Sequence, residues 1–149
     1  MKFFSFISLT LAFLLIMFNS SSASDEGSTP RTQSIQVCSG VDKDDCIVRK
    51  FKDTPEASVI RGKIVFQNYC ILCHGTSGQG DGRAAKIHKP KPANLTASLV
   101  PIEYLSLIIR KGGEANGRSK GMPPWDEQLT DEQIRDVISF LMTIRTKTQ

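Results

Sequence analysis

Histidine and cysteine are scarce in this chain, with two and four residues among 149. That scarcity leaves no histidine-rich metal cluster. No Ser/His/Asp set or paired-carboxylate motif can be assembled either, so the pattern offers no hydrolytic machinery. The formal net charge of +4 is modest, and no nucleic-acid motif accompanies it, so no nucleic-acid partner is expected. Neither an internal repeat nor a βαβ pattern is visible. The glycine-rich stretch at residues 75–82 lacks the Walker pattern and its Lys-Ser/Thr ending, which makes it a loop rather than a phosphate cradle. Beyond the N-terminus no apolar run approaches the ~20 residues that a membrane-spanning helix needs.

What is present is Cys70-Ile71-Leu72-Cys73-His74. Residues i, i+3 and i+4 of a helical turn share one face. Both cysteines can therefore reach one edge of a haem while His74 points a ring nitrogen at its iron, and the spacing predicts covalent haem c attachment. A zinc half-site and a thioredoxin-type redox pair are the competing readings. Zinc wants two further ligands, usually as a second close pair, but the remaining cysteines, Cys38 and Cys46, are widely spaced. A redox pair belongs in a βαβ setting, which this chain lacks.

The N-terminus reads as an export signal. Lys2 is followed by a largely apolar run at residues 3–18 and a small-residue segment ending at Ala23. Residues 1–23 are thus expected to be a cleaved signal peptide, leaving no stable membrane span. An uncleaved anchor is the alternative, although the apolar run is short for one. Export, here to the periplasm, places the chain in an oxidising compartment that suits both haem c and a disulfide. Residues 24–56 form an N-terminal extension that begins as a flexible leader. Within it, Cys38 and Cys46 flank a polar segment, predicting a short hairpin or compact loop closed by a disulfide. Such a closure would contribute ~2–3 kcal/mol. The alternative is that one of these cysteines is a thiolate ligand to iron.

Residues 57–149 are expected to form a single all-α domain, with helices wrapped around one covalently bound haem. A first helix should span residues 57–69, with Ile60, Ile64 and Phe66 making apolar contacts and Arg61 and Lys63 facing water. Gly62 costs ~1 kcal/mol against alanine in a helix interior, which makes sense if another helix crosses closely there. Pro90 and Pro92 predict an extended stretch. A further helix should open at Ser98 or Leu99, carry Pro101 in its first turn and end at Gly112-Gly113. Thr130 and Gln133 have capping-box spacing. The last helix should then run to about residue 145 with Ile134, Val137, Ile138, Leu141 and Met142 as its apolar stripe and Phe140 beside it.

His74 would leave one axial position on the iron. After signal cleavage the candidates are His88, Met122 and Met142. Met142 lies on an apolar stripe, where core packing is its expected role, and His88 lies in a charged, solvated segment. Met122 follows a glycine-bearing loop and precedes Pro123 and Pro124, whose fixed φ holds an extended segment. Met122 is therefore the expected ligand, in a His/Met pairing that raises the reduction potential.

Together these residues resemble the class I c-type cytochromes, over residues 59–145. Gly62, Phe66 and Cys70 recur at intervals of four, as in that family's first helix. Phe140-Leu141 resembles the aromatic and apolar pair of its last helix. Gly80-Asp81-Gly82, Gly121-Met122-Pro123 and Pro124-Trp125 resemble further stretches of bacterial members. The resemblance implies that the aromatic packs over Gly62 and that a proline near residues 90–92 offers its carbonyl to the haem histidine. It also implies a soluble carrier of single electrons rather than an enzyme, since both axial positions are filled. Two alternatives stay open: a haem c subunit of a larger oxidoreductase, docked through the extension, and a sensor or peroxidase-like haem protein from which Met122 dissociates.

Charge is divided along the chain. Arg83, Lys86, Lys89, Lys91, Arg110, Lys111, Arg118 and Lys120 crowd one stretch, and residues 125–136 are acidic. A basic rim around the haem edge is expected, with Arg83, Lys86, Lys89, Lys91, Lys111 and Lys120 meeting acidic redox proteins.

Overall fold

The computed structural model describes residues 37–146, apart from position 41. The expected signal peptide at residues 1–23, the start of the expected extension and the chain end beyond residue 146 lie outside the described residues. Helices are α1 (Lys43–Lys50), α2 (Pro55–Tyr69), α3 (Ile71–His74), α4 (Ile102–Lys111) and α5 (Asp131–Ile144), with short 3₁₀ turns at Ala85–Ile87 and Glu114–Asn116. Among the described residues there is no strand, and the fold is all-α.

Local chemistry sets most helix ends. The Thr54 hydroxyl accepts from the Ala57 N–H at 3.4 Å, and Pro55 occupies the first helical position, so α2 starts slightly earlier than periodicity alone suggests. Pro101 does not enter the first turn of α4. It is the extended N-cap, at φ −60 and ψ 158, and α4 begins only at Ile102. Residues before proline avoid helix, which keeps Leu99 and Val100 out. Gly112, at φ 76, ends α4 where a side chain would be strained. At α5 the Thr130 hydroxyl accepts from the Gln133 N–H at 3.2 Å, and the Gln133 carbonyl oxygen accepts from the Thr130 N–H at 2.8 Å.

The Cys38–Cys46 segment is not a hairpin. Asp44 and Asp45 in the first turn and Arg49 and Lys50 in the last suit the helix dipole, and the Asp45–Arg49 pair at 2.9 Å adds one i,i+4 contact, so this stretch forms α1. The structure joins Cys38 to Cys46 with their Cα atoms 5.7 Å apart. Cys38, Ile47 and Ala57 make a small separate core, with Phe51 and Ile60 packed against it, that fastens α1 to the start of α2.

The main core draws Val65 and Phe66 from α2, Leu105 and Ile109 from α4, Leu129, and Ile134, Val137, Ile138 and Leu141 from α5. Full burial of Phe66 alone contributes about 1.5–3 kcal/mol. Two apolar expectations fail. Ile64 and Met142 are 51% and 40% exposed, and neither belongs to the buried core cluster.

Helices α2 and α5 pack together more extensively than any other pair. They cross at Gly62, where an added Cβ would run into the carbonyl of Asp136 and come within 2.9 Å of the Val137 nitrogen. The atoms nearest Gly62 are backbone atoms of Asp136 and Val137, and one turn along Phe140 packs on Phe66, with ring centroids 5.3 Å apart. Arg61, expected in water, turns to Asp136, whose residue is only 3% exposed. Its Nε donates to one carboxylate oxygen at 2.7 Å, and the Ser58 hydroxyl donates to the other at 2.7 Å. A buried carboxylate is tolerated only when paired in this way.

Gly62→Ala should push the two backbones apart and destabilise the protein by about 1–3 kcal/mol, the usual cost of overpacking. Denaturant unfolding should show a lower midpoint at an unchanged slope; an unchanged midpoint would contradict the crossing.

Candidate functional site

The end of α2 sets the position of the site. Cys70 closes α2 by donating its N–H to Phe66 at 2.9 Å, and the chain turns at once into α3. The His74 N–H donates to Cys70 at 2.9 Å, which keeps the Cys70–His74 stretch helical. Its last carbonyls need partners. The glycine-rich loop supplies them: the N–H groups of Gly75, Gly80, Gly82 and Ala84 donate to the carbonyls of Ile71, His74, Cys73 and Leu72 at 2.9, 2.8, 3.1 and 2.9 Å. The loop thus caps the turn that carries the three motif residues.

His74 is oriented from behind. Its Nδ1 lies 3.1 Å from the carbonyl oxygen of Ala93. A carbonyl only accepts, so Nδ1 carries the proton and Nε2 keeps its lone pair, as an iron ligand requires. The accepting carbonyl belongs to Ala93 and not to Pro90 or Pro92. Burial lowers the His74 pKa while the Ala93 hydrogen bond opposes it, and the net shift favours the neutral ring.

Cys70 and Cys73 are unpaired thiols. Burial, with a smaller contribution from Cys73, pushes the Cys70 pKa up to about 12. A redox-active Cys-X-X-Cys pair needs a lowered pKa, so this environment disfavours the redox reading. Among the described residues no three of His, Cys, Asp or Glu gather as a metal site, and a closed zinc site has nothing to build on.

The motif residues open on a cavity of about 480 Å³. Cys70, Cys73 and His74 line it, together with Phe66, Leu105, Ile109, Val137 and Leu141 from the core. Met122 lines it too, half-buried and packed against the main core. Tyr69 and Trp125 flank it as an edge-to-face pair at 5.5 Å. Two thiols on one face, an imidazole with a free Nε2 and apolar walls fit covalent haem c.

His88 is not in solvent. It is half-buried in the cavity wall, with Nε2 3.8 Å from Cys73 Sγ. Its neighbours Arg83, Lys86, Lys89 and Lys91 are exposed and have no carboxylate partner among the described residues. The remaining cations differ. Lys111 pairs with Asp126 at 2.7 Å, Lys120 with Glu114 at 2.9 Å and Arg110 with Asp131 at 2.6 Å. Lys111 holds the Asp126 carboxyl below its usual range. The Arg118 guanidinium lies over the Tyr104 ring, 5.8 Å from its centroid. Charge divided along the chain is therefore partly rejoined in space.

The helical shell and the Cys-X-X-Cys-His turn place the protein among the class I c-type cytochromes, electron-transfer proteins that hold haem c covalently. The chain belongs to the family described as cytochrome c oxidase, cbb3-type, subunit III, which residues 57–141 match. It is 35% identical over 72 residues to cytochrome c-554(548) of Halomonas halodenitrificans, covering 48% of this chain and 78% of that protein. A chain of the reducing HAO-like protein complex of Kuenenia stuttgartiensis is similar at 34% identity and a TM-score of 0.49, over 57% of this chain and 41% of that one. This chain thus matches less than half the length of that relative.

Acid–acetone extraction should leave haem on the wild-type protein, and the intact mass should exceed that of its polypeptide alone by the mass of bound haem. Replacing Cys70 and Cys73 together by alanine should make all haem extractable. Haem that extracts from the wild type would contradict thioether attachment.

Proposed function

We propose that this protein is an exported carrier of single electrons with one haem c, joined through Cys70 and Cys73 and ligated by His74 and Met122. The observation that carries this reading is that Met122 lines the same cavity as His74, on a loop fastened by the Gly113 N–H donating to the Met122 carbonyl at 2.8 Å. When bound, the haem supplies the redox couple. The chain's own residues orient His74, surround the group with apolar walls and shut water out. With His and Met both on the iron, no position remains for a substrate, which suits a carrier rather than an enzyme.

The supporting division of the chain is a signal peptide at residues 1–23, an extension at 24–56 and the cytochrome domain at 57–149. The periplasm is the proposed location. Its oxidising conditions favour the Cys38–Cys46 disulfide, which also leaves neither sulfur available to iron. Among the described residues no helix is long and apolar enough to cross a membrane. A second reading, a haem c subunit of a larger oxidoreductase, is favoured by the description of the matching family. Gel filtration beside co-purification separates a free carrier from a bound subunit.

Acidic redox proteins are the proposed partners. Arg83, Lys86, Lys89 and Lys91 form the docking face, because none of them pairs with a carboxylate among the described residues. Lys111 and Lys120, though basic in sequence, spend their charge on Asp126 and Glu114.

Met122→Ala should abolish the long-wavelength methionine–iron band of the oxidised protein, lower the potential and admit carbon monoxide to the reduced protein. Wild type should bind carbon monoxide poorly; ready binding would favour the sensor or peroxidase-like reading.

Electron transfer to an acidic redox protein should slow steeply as the Debye length shrinks from ~10 Å at 0.1 M salt to ~3 Å at 1 M. Lys86→Glu and Lys89→Glu should flatten that dependence in stopped-flow measurements, and Lys111→Glu should do so less. A salt-independent bimolecular rate would remove the docking face.

A further inference from the structure

His88 has no task in the account above, yet its placement is specific. On one side its Nε2 meets Cys73 Sγ at 3.8 Å. On the other its ring fills the space where residue 121 would carry a side chain. A Cβ on Gly121 would overlap Nδ1 and lie 3.1 Å from Cε1 and Cγ of His88. Gly121 is not in the left-handed region, so its lack of a side chain answers to space rather than to backbone conformation. The ring is therefore wedged between the attachment turn and the residue before Met122.

Each side of that wedge is connected. The Ala84 N–H donates to Leu72 at 2.9 Å and the Ile87 N–H to Ala84 at 3.2 Å, which ties the backbone leading to His88 to the Cys-X-X-Cys-His turn. Across the ring, the loop of Met122 is fastened at its far end by Gly113, whose N–H donates to Met122 and whose carbonyl accepts from the Arg118 N–H, both at 2.8 Å. After Met122, Pro123 and Pro124 lack N–H groups, and the next donor is the Trp125 N–H, which reaches the Ile109 carbonyl at 3.0 Å. Before Met122, the Gly121 N–H donates to the Ser119 hydroxyl at 3.1 Å and the Met122 N–H to the Ser119 carbonyl at 3.3 Å. These bonds stay within the loop, so packing against His88 is what sets this side of the loop against the attachment turn.

We propose that His88 is a positioning residue whose imidazole holds Gly121, and with it Met122, at the distance the iron requires. This rests on Met122 being the axial ligand. The wedge acts through shape, since ligand geometry of this kind is set by packed neighbours around the ligating side chain. His88 does not itself touch the iron.

The test uses the haem-loaded protein and four variants: His88→Ala, His88→Phe, Gly121→Ala and the double variant His88→Ala/Gly121→Ala. The readouts are the methionine–iron band of the oxidised protein and carbon monoxide binding to the reduced protein, with denaturant midpoints measured alongside. His88→Ala should lose most of the band and bind carbon monoxide faster, and His88→Phe should keep both near wild type. Gly121→Ala should lose the band as its Cβ displaces the ring. The double variant should retain more of the band than Gly121→Ala, because the ring that collides with the new Cβ is gone. His88→Phe and Gly121→Ala read the same contact if His88→Ala fails to take up haem. A wild type with the band whose His88→Ala variant keeps it, and stays closed to carbon monoxide, would overturn the wedge. A wild type without the band would overturn the ligand assignment and the wedge together. A double variant no better than Gly121→Ala would show that the His88 ring is not what Gly121 accommodates.

Discussion

At Gly62 the backbones of α2 and α5 touch, and the placement of the haem turn follows from that contact. Only a residue without a Cβ lets the Asp136 carbonyl come so close. The close approach buries Asp136, and the buried carboxylate in turn requires Arg61 and Ser58. That polar cluster fixes α2 and α5 against each other at one end, and the Phe66–Phe140 contact fixes them further along. α2 then delivers Cys70 to the cavity without any intervening loop. A change at Gly62 would thus be felt at the cofactor through the rigid body of one helix.

The turn itself is shaped by two different kinds of support. The glycine-rich loop satisfies its carbonyls, so a short helix can end inside the structure without orphaned acceptors. The Ala93 carbonyl fixes which nitrogen of His74 is free. Neither support touches the sulfur atoms, whose environment is set by burial. One turn therefore presents three groups under separate constraints: the buried Cys70 sulfur, the Cys73 sulfur beside His88, and an imidazole oriented by Ala93. The Met122 loop lines the same cavity and is held to the end of α4 on both sides. The Gly113 N–H donates to the Met122 carbonyl at 2.8 Å and the Trp125 N–H to the Ile109 carbonyl at 3.0 Å, with Pro123 and Pro124 between them supplying no donor.

Much of this was legible in the sequence because the chemistry is local. Cys70, Cys73 and His74 fall on one helical face by spacing alone, Thr130 and Gln133 cap by spacing, and the scarcity of histidine and methionine narrows the sixth ligand to a few candidates. Gly62 announced a close crossing because a glycine in a helix interior is otherwise a cost. What escaped was long-range. Arg61 and Asp136 are 75 residues apart, and no local pattern joins them, although a charged residue beside the apolar stripe of α5 was a signal. The Lys111–Asp126 pair likewise joins a basic stretch to an acidic one, so a charge count along the chain overstated the basic rim. His88 was read from its charged neighbours, yet the chain turns its ring inward while theirs stay out. The α1 helix is hidden in the sequence because a polar segment between two cysteines suggests a loop, although the charges at its two ends match the helix dipole.

The central claim is that His74 and Met122 hold one haem iron from opposite sides of this cavity. X-ray absorption at the iron edge of the loaded protein tests it most directly, because it counts the neighbours of the metal by element. The account predicts a single sulfur among nitrogen neighbours in the wild type, absent when Met122 is replaced. A shell of nitrogen alone in the wild type, or a sulfur that survives the loss of Met122, would contradict it.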